Sequence, residues 1–531
     1  MTGQPDILLV LVDDMGFSDI GCFGGEISTP TLDRLGRDGV RFTQFYNSPR
    51  CSPSRASLLT GLHPHQVGVG ILNFDDTPDG YPGNLSEDCV TVAECLRDAG
   101  YATHLSGKWH LASDMETPNP AWPTRRGFDH VYGTLEGAGS FYNPRTLHRG
   151  EDDIAAEAAA SGYYYTDAIS EEACGFVDEH VAQRADQPFF CYLAYTAPHW
   201  PLHAHEDDVA AYRGRFDAGW DELRQHRLGR LVDEGILRAD WPLTDRDPRV
   251  PAWADAADHE WEARRMEVYA AQVTAMDRGL GQVLDRLEAA GRLENTIVVF
   301  LSDNGGCAEE LDRAFVEAFV PLADTTKDGR EVVAGNVPGV MPGDEATYAS
   351  YGRAWANLSN TPFREYKHWV HEGGIATPLL VHWPAGVQAP GRLEHQPLQL
   401  VDVLPSLLEA AGARYPQQRQ GRPIPPAEGR SFLPTVRSGE PVPERPLFWE
   451  HEGNAGVRQG RWKLVRKWGG PWELYDMAVD RTELDDRAGG DPERVAAMAA
   501  EYESWAARCG VIPRQVVLDL YARRGAGLPP E

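Results

Sequence analysis

The run Ile7-Leu8-Leu9-Val10-Leu11-Val12, closed by Asp13-Asp14, carries the reading of the chain. It is far shorter than the roughly 20 apolar residues that span a bilayer. The preceding Met1-Thr-Gly-Gln-Pro-Asp lacks the basic start of a signal peptide. A first core strand of a leaderless protein is therefore expected. Apolar runs of similar length recur at 189–195, 296–301 and 379–382, alternating with helical patterns. Such alternation predicts an α/β fold, with a large, mostly parallel sheet sandwiched by helices. The clearest helix is expected over 264–290, where Met266, Tyr269, Val273, Met276, Leu280, Val283, Leu284 and Leu287 form one apolar face and Gly291 ends it.

Outward from these strands, the chain divides in two. A Pro-, Gln-, Arg- and Gly-rich connection at 415–429 separates an expected catalytic domain, 1–425, from a smaller α+β domain, 426–531. In the latter, short strands at 446–449, 455–458, 462–466 and 473–475 precede a helix at 492–507, predicting an antiparallel sheet with a packed helix. A charged insertion, 207–262, holds Trp220, Trp241, Trp253 and Trp261, which are read as core or interface residues, with walling or capping of a site as the alternative.

Fifty Lys and Arg against 80 Asp and Glu give a formal charge of −30, and 42% of residues are hydrophobic. That apolar content excludes a disordered or fibrous chain. The charge disfavours nucleic acid and anionic membrane, while leaving room for one small anion held by a few buried cations. Eight scattered cysteines, without Cys-x-x-Cys spacing, argue against a disulfide scaffold or a zinc site. No later stretch approaches membrane-spanning length, so a soluble, reduced, cytoplasmic protein is expected.

Chemistry gathers at strand ends. Asp13-Asp14 closes one apolar run, and Ser302-Asp303-Asn304-Gly305-Gly306 closes another. Either pair alone reads as a cap or turn. Two sets of hard oxygen donors at the carboxyl ends of sheet strands point instead to a divalent cation such as Ca²⁺ or Mg²⁺. Cys51-Ser52-Pro53-Ser54-Arg55 reads as a helix start, with Ser52 as cap, Pro53 in the first helical position and Gly61 as the stop. Cys51 should then sit at a positive N-terminus that welcomes an anion, with Arg55 one turn away. In an extended Gly107-Lys108-Trp109-His110, Lys108 and His110 would project to one side.

Cys51, Pro53 and Arg55 in Cys-x-Pro-x-Arg order resemble the signature of the type I, formylglycine-dependent sulfatases of the alkaline phosphatase superfamily, most like the bacterial arylsulfatases. Asp13-Asp14, Gly107-Lys108-Trp109-His110, Ala197-Pro198-His199, Asp303-Asn304-Gly305-Gly306 and Thr361-Pro362-Phe363-Arg364, with Lys367 ahead of Glu372-Gly373-Gly374, follow in the family's order. Six concordant segments over more than 350 residues make coincidence untenable. The resemblance implies that Cys51 is oxidised to Cα-formylglycine by a formylglycine-generating enzyme. It also implies that one Ca²⁺ is held by Asp13, Asp14, Asp303, Asn304 and residue 51. One hydroxyl of the hydrated aldehyde would attack sulfur, and the second would let the sulfate be expelled as the aldehyde re-forms. Arg55 and Lys108 would hold residue 51 and sulfate charge, and His110 would act as base. His199 and Lys367 would approach the ester oxygen, His199 being the favoured acid because its ordinary pKa lies near neutrality. Asp303 is a further acceptor for the nucleophile's proton.

The implied substrate is a small sulfate monoester, aryl ahead of alkyl or sugar. A phosphonate monoester or phosphodiester hydrolase of the same superfamily is the nearest alternative. It is disfavoured because those relatives tend to carry His where this chain has Asn304. A non-catalytic Ca²⁺-dependent binder of sulfated ligands would require an unoxidised Cys51.

Overall fold

The fold is described by a computed structural model covering residues 3–524; Met1, Thr2 and the last seven residues of the expected second domain lie outside the described residues. The large sheet is built from β1 (Asp6–Val12), β2 (Val40–Tyr46), β3 (Ala102–Gly107), β4 (His130–Thr134), β5 (Leu147–Arg149), β6 (Asp152–Asp153), β7 (Phe189–Ala194), β8 (Thr296–Ser302), β9 (Ala376–His382), β10 (Arg392–Glu394) and β11 (Leu398–Gln399). Its order is β10-β2-β9-β8-β1-β7-β3-β4-β5-β6, with β11 also on β2. The centre, β8-β1-β7-β3-β4, is parallel. The expected strand at 379–382 is the end of β9, which runs antiparallel to both β8 and β2 and makes the sheet mixed.

β1 is apolar throughout because both of its faces are covered. Ile7, Leu9 and Leu11 join one hydrophobic cluster, and Leu8, Val10 and Val12 join the other. Alternation along the strand thus divides six apolar residues between two cores. The helices α1 (Cys51–Thr60) and α4 (Val403–Ala411) contribute to the first cluster. The helices α2 (Tyr165–Arg184) and α3 (His259–Ala289) contribute to the second. All eight residues expected on the apolar face of α3 are at most 1% exposed. The helix starts five residues earlier than the sequence pattern suggests, because Asp258 caps it by accepting the Trp261 N–H.

In the C-terminal part, β12 (Leu447–His451), β13 (Asn454–Gln459), β14 (Trp462–Arg466) and β15 (Glu473–Asp476) form an antiparallel meander. Helix α5 (Pro492–Cys509) packs Met498, Tyr502 and Trp505 on it. The connection at 415–429 is not wholly irregular, since it folds a short hairpin, Gln418–Arg419 against Arg422–Pro423. The sequence reading missed α6 (Arg514–Arg524), whose Val517 and Tyr521 pack against Cys51, Ile71, Leu72 and Tyr81. A buried ion network ties the small sheet to the large one. Glu372 accepts from Tyr46, Lys463 and Arg481, and Lys463 also pairs with Glu483. The insertion's tryptophans serve the core: Trp220 meets Trp253 and Trp355 edge-on, and Trp261 donates to Val340 O. No helix of the described residues is long and apolar enough to cross a membrane.

Candidate active site

Strand register assembles the site. Val12 pairs with Ser302, Leu11 with Ala194, and Ala194 with Gly107, so β8, β1, β7 and β3 end together on one edge. The residues that follow are Asp303-Asn304, Asp13-Asp14, the segment carrying His199, and Lys108. Because β9 is antiparallel, its first residues, after Lys367 and Glu372, lie at this edge too. Ala376 pairs with Tyr46 at the end of β2, five residues before Cys51. The carboxyl-end rule for open α/β sheets thus extends here to an antiparallel neighbour entered from its amino end.

At the strand ends, Asp14 N–H donates to Asp303 Oδ1 (3.1 Å) and Asn304 Nδ2 donates to Asp14 Oδ1 (2.7 Å). Asp14 adopts φ 65°, a conformation that costs a non-glycine residue about 1–3 kcal/mol and is often kept at functional sites. Gly305 is required by close approach, since a Cβ there would lie 1.8 Å from Gly373 O. The Asp303-Asn304-Gly305 and Glu372-Gly373-Gly374 segments therefore cross in contact.

Cys51 is the first residue of α1 and is buried. Gly61 ends the helix at φ 67°, as expected. The start differs from expectation: Arg50, not Ser52, occupies the cap position, its side chain making no bond to the helix end, and Pro53 is the third helical residue. Ser52 Oγ donates instead to His110 O (3.0 Å), fastening the helix to the β3 loop. Arg55 projects inward with no exposure, donating to Asp13 (3.3 Å), Asp303 (3.0 Å) and Lys108 O (3.1 Å).

Lys108 donates to Asp13 Oδ2. The segment is not extended through His110, which takes φ 60°. That turn, rather than strand alternation, directs the His110 ring, which rests on Gly137: a Cβ there would be 2.2 Å from His110 Nε2. His199 Nδ1–H donates to Trp200 O (2.6 Å), leaving Nε2 to face Lys367 Nζ (3.3 Å) and Asp14 Oδ2 (3.3 Å). Lys367 also donates to Asp14 Oδ2 (2.8 Å). All ten expected site residues are thereby brought to one sheet edge.

The electrostatics are those of a crowded buried anion set. Burial and the Asp13 charge push Asp303 above the usual carboxylate range despite Arg55. Burial also opposes ionisation of Asp13, but Lys108, His199, Arg55 and Lys367 together pull it well below that range. Burial lowers His110 and His199; for His199, Asp14 opposes this and Lys367 adds to it. Burial raises the Cys51 thiol against the pull of Lys108 and Lys367, which makes an unmodified thiol a poor nucleophile here. Asp13 Oδ1 and Asn304 Oδ1 are buried without hydrogen-bond partners. Asp13, Asp14 and His199 offer ligand atoms within 4.8 Å of one another. Two orphaned hard oxygens among three carboxylates fit a divalent cation of the Ca²⁺ or Mg²⁺ type.

Cys51, His110, His199 and Lys367 line a cavity of about 190 Å³. The lining also carries the apolar side chains of Leu72, Phe74, Met115, Trp200, Phe315 and Val320, beside the polar Asn73, Glu136 and Arg145. Three further lining residues, Arg50, Trp200 and Glu309, went unread in the sequence. Arg50 and Trp200 flank Cys51 and His199, an adjacency that could have suggested them. Glu309 carries no motif, and only folding brings it there.

A family model described as Sulfatase matches residues 5–413, and one described as N-sulphoglucosamine sulphohydrolase, C-terminal, matches residues 364–501. The chain is 32% identical over 540 aligned positions to an uncharacterized sulfatase of Schizosaccharomyces pombe, covering 96% of this chain and 94% of that protein. It is 32% identical over 456 positions to an arylsulfatase of Klebsiella aerogenes, covering 81% and 91%. The solved structure of Ps i-CgsB in complex with k-i-k-neocarrahexaose aligns with a TM-score of 0.69 at 24% identity, covering 98% of each chain, a likeness of fold.

Proposed function

The chain belongs to the sulfatase family and is a sulfatase, and from that premise we propose that it cleaves aryl sulfates to a phenol and sulfate, using Cα-formylglycine made from Cys51 and one Ca²⁺. The observation that carries this reading is the convergence at one sheet edge of Cys51, at a helix N-terminus, with Arg55, Lys108, His110, His199 and Lys367 and an under-coordinated oxygen cluster, with Cys51, His110, His199 and Lys367 lining one cavity. The preference for aryl esters is supported by the six apolar side chains in the cavity lining and by a volume suited to a single ring.

Asp13, Asp14, Asp303, Asn304 and residue 51 would hold the cation, which supplies positive charge to an ionised hydroxyl and to sulfuryl oxygens. The hydrated aldehyde at residue 51 supplies a hydroxyl nucleophile and a second hydroxyl through which sulfate is later released. The remaining work falls to the chain's own side chains. Arg55 braces Asp13 and Asp303, keeping both carboxylates aimed at the site. Lys108 and Lys367 place ammonium groups on either side of Asp13 and Asp14, where sulfate charge must be accommodated. Asp303 accepts the proton of the attacking hydroxyl. His110, held neutral by burial, acts as base at residue 51 during release. His199 protonates the departing oxygen. Lys367 is the poorer donor, because Asp14 and Glu309 overcome the lowering effect of burial and hold its proton tightly.

Maturation by a formylglycine-generating enzyme is part of this proposal, as is a reducing, cytoplasmic location, supported by eight unpaired cysteines. The test is a panel of 4-nitrophenyl sulfate, an alkyl sulfate and an aryl phosphonate ester, run with Cys51→Ala alongside. Mass spectrometry of the peptide bearing residue 51 should show one sulfur and two hydrogens exchanged for one oxygen. Sulfate-ester turnover by a chain whose residue 51 remains a thiol would refute the nucleophile. Faster cleavage of the phosphonate than of either sulfate ester would refute the substrate, and Asn304→His should shift the preference toward the phosphonate.

A further inference from the structure

A chain of contacts links the segment that carries residue 51 to the leaving-group side of the cavity. Arg50 Nη1 donates to Glu309 Oε1 (3.0 Å), and Trp200 Nε1–H donates to Glu309 Oε2 (2.7 Å). Trp200 O accepts the His199 Nδ1–H (2.6 Å), and His199 Nε2 faces the cavity beside Lys367. Both carboxylate oxygens of Glu309 are thereby used by the two residues that flank Cys51 and His199 in sequence. Trp200 is 6% exposed, and a ring centroid of its indole lies 4.7 Å from that of His199. Arg50 and Glu309 are each 13% exposed at the side chain, so water competes little with their ion pair.

We propose that Glu309 is a positioning residue for proton donation: by clamping Arg50 and the Trp200 indole, it fixes the Trp200 carbonyl that holds His199 with Nε2 toward the departing oxygen. The inference rests on the reading of His199 as the proton donor. The geometry explains why a carboxylate is used. Arg50 and the indole reach different carboxylate oxygens, and a glutamine in its place would put an NH₂ at one of those two positions, facing a donor instead of accepting from it. As the S–O bond breaks, its electron pair passes to the ester oxygen, which takes the Nε2 proton of His199 in its imidazolium form; the ring is left neutral with Nδ1–H still on the Trp200 carbonyl. An imidazolium rotated off that carbonyl cannot deliver the proton.

Because a proton matters most to a basic leaving group, the effect depends on the phenol. In Glu309→Gln and in Trp200→Phe, which removes the indole donor, kcat for phenyl sulfate should fall by about tenfold or more beyond the fall for 4-nitrophenyl sulfate. KM for the two esters should change in parallel. Equal losses of kcat for both esters, as a merely structural residue would give, overturn the proposal. Crystal structures of the two variants supply a readout that does not depend on turnover. The His199 ring should leave the Trp200 carbonyl in both, and a ring unmoved in Glu309→Gln overturns the positioning role. If the wild-type chain cleaved no sulfate ester, the functional reading would fall, while the position of the His199 ring would still decide whether Glu309 sets it.

Discussion

Val12 and Ser302 face each other in parallel register, so Asp13 and Asp303 leave the sheet side by side. A single guanidinium, Arg55, reaches both from the first turns of the helix that begins at Cys51. The nucleophile helix and the oxygen cluster are therefore one rigid object, joined without exposure to water. The expected consequences concern the cation, the leaving group, the buried ion pairs and the response to pH.

Removing divalent cations should reverse activity and stability together. Chelation is expected to abolish turnover, and Ca²⁺ to restore it. At Ca²⁺ one hundred times its dissociation constant the fold should gain about 2.7 kcal/mol. Thermal unfolding with and without Ca²⁺ measures this, and an unchanged melting temperature in both wild type and Asp13→Asn would argue against a cation at these oxygens.

Phe315 is one of the apolar residues lining the cavity. Phe315→Ala should lower kcat/KM for a phenyl ester relative to a methyl ester by about 1–3 kcal/mol, or roughly ten- to two-hundred-fold. Equal losses for both esters would show that the leaving group does not contact Phe315.

Lys463 is fully buried between Glu372 and Glu483. Lys463→Met leaves both carboxylates without their shared cation and should cost about 3–5 kcal/mol. Urea unfolding checks the figure. A loss below about 1 kcal/mol would mean that Arg481, with Arg458, which donates to Tyr46 Oη (2.6 Å), suffices for the network.

His203 is buried with Nδ1 accepting the Phe141 N–H (3.3 Å) and Nε2–H donating to Thr347 O (2.7 Å), an arrangement that needs the neutral ring. Burial lowers its pKa to about 4, against small raising contributions from the Thr347 bond and Asp344. The folded pKa is thus below the unfolded value, and the unfolded chain takes the proton first as pH falls. The His203 contribution is complete above pH 6.5 and is lost between about 6.5 and 4, on the order of 3 kcal/mol in all. His203→Gln can keep both bonds and should flatten this part of the stability profile between pH 7 and 5. An identical slope in the variant would assign acid sensitivity elsewhere.

Much of the fold is legible in short stretches. Ile7 to Val12 and Thr296 to Leu301 announce two-sided burial because a strand covered on both faces must be apolar at every position. The α3 face is legible because eight residues repeat at helical spacing and all reach the core. Helix α6 is not, since its apolar residues answer to Cys51, Leu72 and Tyr81 rather than to a periodic face of its own. Ser52 was misread for a related reason: as a cap it would serve its own helix, but folding brings His110 O within reach and takes the hydroxyl.

By itself the sequence determined which residues could do chemistry: paired carboxylates after apolar runs, a cysteine at a helix start, and histidines and lysines in fixed local settings. Those are properties of neighbours along the chain, where spacing and residue type suffice. Only the tertiary structure decided that Lys367, in the segment ahead of an antiparallel strand, meets Asp14 across 353 positions. The same holds for Glu309, which joins Arg50 to Trp200, and for the C-terminal helix that packs beside Cys51. Those contacts depend on strand order and direction, which arise from the packing of whole layers and leave no mark in any local run of residues.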